Sequence, residues 1–237
     1  GPMTSTWVVG DVHGCAAELQ LLLEQMDLQA QDLLLSVGDL FHRGPDPAGV
    51  LQILQRLGSR FDMVNGNHER SLLRRCKGQA TCSIDDLRGD GGTVMHKNAL
   101  PVAEELIAFI HGRSYLQRRK LCGSAWQQSE TTDWLLVHGC VLPGQIPEQI
   151  PPSQLVRKGR QENLPNHPYW YETWHGPEFV VFGHAQSAAG LHVDAHGNPW
   201  CYGLDTGCVY GGPLTALRLE DLAIMVQPNV GSRVVER

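Results

Sequence analysis

The chain has 237 residues, 42% of them hydrophobic, which is enough for one sizeable core and ordinary for a single α/β domain. Its formal net charge of −6 argues against a broad surface for nucleic acid or anionic membrane and leaves anion binding to local sites. No apolar run approaches the ~18 residues of a membrane helix, and no basic segment precedes an apolar leader, so neither a span nor a signal peptide is expected and the cytoplasm is the expected compartment.

Gly1-Pro2-Met3 reads as a protease-cleavage scar followed by an initiator Met, which leaves one expected domain over residues 4–237. Thr6 to Val9 reads as a buried strand and runs into Gly10-Asp11-Val12-His13-Gly14. From Glu18 to Met26, Leu19, Leu22, Leu23 and Met26 recur at helical spacing. A second strand, Leu33 to Val37, meets Gly38-Asp39-Leu40-Phe41-His42-Arg43-Gly44, and Val50, Leu51, Leu54 and Leu57 repeat the helical pattern after Pro45 and Pro47. A third, Phe61 to Val64, meets Gly66-Asn67-His68-Glu69, so the first part predicts βαβαβ.

Further along, Trp134 to Val137 ends at His138-Gly139 and Phe179 to Phe182 ends at Gly183-His184. Residues 143–168, with several prolines, read as a long loop over the site. After residue 175, short strands at 179–182, 191–193, 200–202, 214–219 and 223–226 predict the second sheet of a sandwich. The seven cysteines, an odd number without a Cys-x-x-Cys pair, read as reduced core residues, including Cys15, Cys140 and Cys208 near the motifs.

Aspartate, histidine and asparagine beside glycine at successive strand ends form a metal-ligand set. Two cations a few ångströms apart need a shared carboxylate, neutral imidazoles and a weak oxygen ligand that leaves room for water. A glycine at each position lets a metal or phosphate approach without a Cβ in the way. Histidines outside these clusters, His96, His111, His167, His175, His192 and His196, read as surface or hydrogen-bonded residues.

Residues 10–19, 38–45 and 204–221 resemble the phosphoprotein-phosphatase (PPP) branch of the calcineurin-like metallophosphoesterases. The chain is most similar to the ApaH group of symmetrical diadenosine tetraphosphatases and to ApaH-like bacterial phosphatases, over residues 6–75 and 133–226. The resemblance implies an α/β fold, a four-layer α-β-β-α metallophosphoesterase sandwich with two mixed sheets and a dinuclear metal site at strand ends. It implies that Asp11 and His13 hold one metal, that Asp39 bridges, and that Asn67, His138 and His184 complete the second. Two divalent ions, by resemblance Mn²⁺ with Fe²⁺, Co²⁺ or Zn²⁺ as alternatives, would present a bridging hydroxide to phosphorus in line. His68 is then the general acid, Arg43 the phosphoryl clamp and Arg160 a second clamp.

His42 departs from the protein phosphatases, which carry an Asp there to orient the acid. The expected activity is hydrolysis of a phosphorylated small molecule, diadenosine tetraphosphate cut symmetrically to two ADP. Cleavage of phosphoserine, phosphothreonine or phosphotyrosine in a phosphoprotein is the alternative, and an inactive nucleotide-binding module the third reading. No nucleic acid or membrane partner is expected. Tyr169, Trp170, Tyr171 and Trp174 are candidate stacking surfaces for the far adenosine, and Tyr210 a candidate neighbour of the substrate.

Overall fold

A computed structural model of the chain describes residues 4–82 and 99–235, so His96 and Gly1 to Met3 lie outside the described residues. The first strand, β1 (Thr6–Val9), is connected through helix α1 (Ala16–Met26) to β2 (Leu33–Ser36), and through α2 (Pro47–Leu57) to β3 (Phe61–Met63). These strands pair in parallel, Trp7 with Leu34 and Val8 with Leu35, giving the predicted βαβαβ unit. Their continuous apolar character follows from burial on both faces. Trp7, Val9 and Leu34 pack with α1 and α2, whereas Val8, Leu35 and Val37 face the second sheet.

Local signals fix the helix starts. Asp46 accepts a hydrogen bond from Gly49 N at 2.9 Å, with Pro47 in the first helical position. Helix α3 (Asn67–Arg75) starts where Glu69 Oε1 accepts from Gly66 N at 3.0 Å, and α4 (Ala103–Ile110) completes the helical layer on this side.

The second sheet contains β4 (Leu116–Lys120), β5 (Asp133–Val137), β6 (Phe179–Phe182), β7 (Gly190–Val193) and β8 (Pro199–Gly203), in the order β4-β5-β6-β8-β7. Its inner face presents Trp134, Leu136, Phe179 and Val181 to the first sheet. The outer face is covered by the short helices α5 (Pro152–Leu155) and α6 (Trp170–Thr173) and their flanking loops. The layers are therefore α-β-β-α, with two mixed five-stranded sheets.

Two expectations change. The last strands, β9 (Leu214–Arg218) and β10 (Ile224–Gln227), do not extend the second sheet; β9 runs antiparallel to β1, giving the first sheet the order β10-β9-β1-β2-β3. The Trp170 and Trp174 side chains are not stacking surfaces either, being 0% and 4% exposed in the core against Leu135, Val137 and Phe182. Trp170→Ala is accordingly expected to cost about 3–5 kcal/mol in denaturant unfolding, the range for a large aromatic removed from a packed core.

Candidate metal centre

The five glycine-flanked segments converge at the ends of β1, β2, β5 and β6 and the start of α3. Asp11 follows β1, with Oδ1 accepting from His184 N at 3.1 Å, while its buried Oδ2 has no hydrogen-bond partner. Such an orphaned carboxylate oxygen fits a cation, since an unpartnered buried acceptor is costly. His13 Nε2 lies 3.7 Å from Asp11 Oδ2 and 3.8 Å from Asp39 Oδ2. Its Nδ1 donates to His42 O at 3.0 Å, because a carbonyl can only accept, and Nε2 is thereby left as a lone-pair donor facing both carboxylates.

Asp39 lies at the centre. Its Oδ1 accepts from His68 N at 3.0 Å, and its Oδ2 is 3.1 Å from His138 Nε2 and 4.0 Å from His68 Nε2. His138 Nδ1 donates to Val37 O at 2.7 Å, which aims Nε2 at Asp39 and at Asn67 Oδ1, 2.9 Å away. His184 packs edge-on against His138 with ring centroids 5.1 Å apart. The ligand atoms of His13, Asp39 and His68 lie within 4.8 Å of one another, as do those of Asp39, His138 and His184. Two trios with one carboxylate in common match what a pair of cations requires.

Charge follows the geometry. Burial pushes the His13 pKa down to about 4, with the Asp39 charge only partly opposing, and burial with the neighbouring His138 charge does the same to His184. Both imidazoles are neutral at neutral pH, as ligands must be. Burial also disfavours the His138 imidazolium, but Asp39, Asp11 and Glu69 overcome it and raise its pKa to about 10. Burial would raise the Asp39 carboxyl, yet the His138, His68 and His13 charges hold it well below the usual range. Burial, with the Asp205 and Asp39 charges, raises Asp11.

Backbone geometry marks the same residues. His13, Asp39, Arg43 and His184 adopt φ of 46°, 54°, 81° and 71°, conformations uncommon outside glycine and concentrated at functional sites. A methyl at Gly66 would overlap Asp39 Oδ1 and come within 2.8 Å of His138 Nδ1, so the position has no room for a side chain.

Arg43 borders the centre, close enough for its charge to act on His13 and Asp205, and its Nη1 donates to the hydroxyl of Tyr210, which is 50% exposed. Arg160 is engaged in its own loop: it donates to His167 O at 3.3 Å and Tyr169 Oη at 2.9 Å and lies over the Tyr169 ring. Lys158 in the same loop is the cation whose charge reaches His184. That loop is tied to the centre by Leu155 O, which accepts from Gly139 N at 2.9 Å.

Glu69 was not among the expected residues. It is buried, with Oε1 accepting from Asp39 N at 2.6 Å and Gly66 N at 3.0 Å, and burial and the Asp39 charge raise its pKa to about 7. The signal for it in the sequence was Glu69 in the third position of α3, the capping-box position. Buried Asp205, near Asp11, was also missed.

A family profile described as calcineurin-like phosphoesterase matches residues 4–188. The chain is 29% identical to a symmetrical bis(5'-nucleosyl)-tetraphosphatase of Pectobacterium atrosepticum, covering 96% of each chain. It is 29% identical to one of Legionella pneumophila, covering 95% of this chain and 97% of that protein. The first of these alignments extends over 281 positions against 237 residues here, so the relative carries segments this chain lacks. A crystal structure assigned as a diadenosine tetraphosphatase superposes with a TM-score of 0.71 at 26% identity over 95% of this chain and 94% of that one. A cold-active protein-tyrosine phosphatase of a Shewanella species shares the fold, with a TM-score of 0.51 at 17% identity over 95% and 81% of the two chains. With its fold and its two carboxylate-linked trios, the chain belongs to the calcineurin-like phosphoesterase family.

Proposed function

We propose that this is a dinuclear-metal phosphohydrolase that cuts dinucleoside tetraphosphates symmetrically, within a single domain over residues 4–237. The observation that carries the hydrolytic reading is Asp39 shared between two sets of ligand atoms, those of Asp11 and His13 and those of His138 and His184. The names of the relatives, at coverage near the full length of both chains, support the substrate. Divalent cations, Mn²⁺ by our choice, would supply acidification of a water and neutralisation of charge on the phosphoryl group.

The chain's residues divide the remaining work. Asp11, His13 and Asp39 would hold one cation, and Asp39, Asn67, His138 and His184 the other. Glu69 fixes the Asp39 backbone and the turn at Gly66, so that the shared carboxylate cannot swing. Arg43 presents a planar fork to phosphoryl oxygens as their charge grows, steadied by Tyr210. Lys158, rather than Arg160, is our choice for the second cation on the phosphate, since Arg160 is committed to His167 and Tyr169.

His68 would protonate the leaving oxygen. Its Nδ1 lies 3.4 Å from His42 Nδ1, so among the described residues a second imidazole helps to orient it. An anhydride, whose leaving group is a phosphate with a second pKa near ~6, asks less of that acid than a serine ester, whose alkoxide must be protonated as it leaves. A phosphoprotein substrate is the second reading, favoured by the segments absent relative to the tetraphosphatases, which leave less chain to enclose a dinucleotide. Among the described residues no helix is long and apolar enough to cross a membrane, and the free state of all seven cysteines supports a cytoplasmic assignment.

Product analysis tests the reading. The Mn²⁺-loaded protein is given diadenosine tetraphosphate, a phosphopeptide and an aryl phosphate in parallel. ADP as the sole early product is expected; phosphate release from the peptide with the dinucleotide untouched would reverse the two readings.

A further inference from the structure

Helix α3 enters the metal centre at Asn67 and then leaves it, and the face it carries away from the centre is basic. Asn67, Arg70 and Arg74 are spaced so that they share one side of the helix, with Arg74 roughly 10 Å along the axis from Asn67, and Lys77 follows in the turn just past its end. Arg70, Arg74 and Lys77 have no ion-pair partner among the described residues, whereas nearby Arg113 is held by Asp62 at 3.1 Å. In a chain with a net charge of −6, such a row is an electrostatic exception.

The row borders a cleft of about 640 Å³ whose walls include Leu73, Tyr115 and Pro151, with no carboxylate in its described lining. Tyr115 marks its inner end: Asn65, just before Gly66, bonds through its N–H to the adjacent Ser114 O at 2.9 Å, and the Arg70 charge acts on the Tyr115 hydroxyl. The cleft therefore starts at Arg70, about one helical turn from Asn67, and runs outward along cations, with a half-buried aromatic ring and prolines as apolar walls. Cations in a row suit a chain of phosphates, and a ring beside them suits a nucleobase.

We propose that Arg70, Arg74 and Lys77 and the adjoining cleft bind the phosphate chain and distal nucleoside of a nucleoside polyphosphate while its scissile phosphate sits at the metal centre. This rests on the phosphohydrolase reading and names the half of the substrate that the metals do not touch. It makes the α3 face the determinant of specificity between a polyphosphate and a simple phosphate ester.

The test is charge reversal at the two exposed positions, Arg74→Glu with Lys77→Glu, in the metal-loaded full chain. Arg56→Glu on α2 serves as a control that changes one charge elsewhere. In the double variant the ratio of kcat/KM on diadenosine tetraphosphate to kcat/KM on p-nitrophenyl phosphate is expected to fall about tenfold or more, chiefly through KM. ADP binding, read by calorimetry without turnover, is expected to weaken by about the same factor. Arg56→Glu should leave both values as in the wild type.

An unchanged ratio and unchanged ADP affinity in the double variant would overturn the proposal, as would a loss confined to an acidic phosphopeptide. If the wild type hydrolyses p-nitrophenyl phosphate but neither cleaves the dinucleotide nor binds ADP, the cleft assignment falls and the metal-centre chemistry stands. If nothing is turned over and ADP still binds through Arg74 and Lys77, the cleft stands and the hydrolase reading falls.

Discussion

Asp39→Asn is expected to lower kcat/KM by about 10³-fold on every phosphorylated substrate and to leave the protein with less than its full complement of metal. Asp39 is common to both trios, and its Oδ2 lies 3.1 Å from His138 Nε2 and 3.8 Å from His13 Nε2. Removing one partner from a buried set of charges costs about 3–5 kcal/mol, or roughly 10²–10⁴ in an equilibrium constant, and here the loss falls on two sites at once. The same variant changes proton release. With its pKa raised to about 10, the metal-free His138 carries a proton on the nitrogen facing Asp39 at pH 7, and a cation must displace it. Loading the wild type should therefore release at least one proton at pH 7, read by calorimetry in buffers of different ionisation enthalpy, and the release should shrink in Asp39→Asn because the charge that raises His138 has gone. Full metal content with activity within tenfold of the wild type would refute the bridging role.

His68→Asn is expected to separate substrates by their leaving groups. For a phosphoserine ester the loss should be about 10²–10³-fold in kcat, within the span of about 10²–10⁴ that general acid–base catalysis contributes. On the tetraphosphate, whose leaving oxygen belongs to a phosphate, it should stay below about tenfold. His42→Asp complements it: a fixed negative charge in place of an imidazole 3.4 Å from His68 should hold more of His68 in its protonated, proton-donating form and raise ester turnover relative to anhydride turnover. Equal losses on both substrates in His68→Asn would assign the residue to positioning of Asp39, through its N–H bond to Oδ1, in place of proton transfer.

The site was legible because its ligands follow strands that are apolar on both faces. Val8, Leu35, Leu136 and Val181 are buried between the sheets and Val9, Leu34, Leu135 and Val180 on their outer faces, so each run stands out and each run's end is plain. Strand β4 was missed for the opposite reason. Its sequence, Leu-Gln-Arg-Arg-Lys, carries no apolar run, and it is held at the sheet edge by Arg118, which reaches Asp133 at 3.1 Å and Glu178 at 2.7 Å. The sheet to which β9 and β10 belong is a long-range pairing that alternation cannot encode. Arg160 and Lys158 lie in one basic cluster, and only the fold shows which side chain Tyr169 and His167 hold away. Glu69 acts through backbone N–H groups, a role that no ligand pattern reports.

The place of β1 between β2 and β9 bears on how the molecule is made. A ribosome completes β1, β2 and β3 early, yet the other edge of β1 must wait for Leu214 to Arg218 at the far end of the chain. Until then the nascent sheet exposes the unpaired side of Trp7, Val8 and Val9, an apolar edge of the kind that recruits other chains. Closure across some two hundred residues is a non-local pairing of the kind that slows folding.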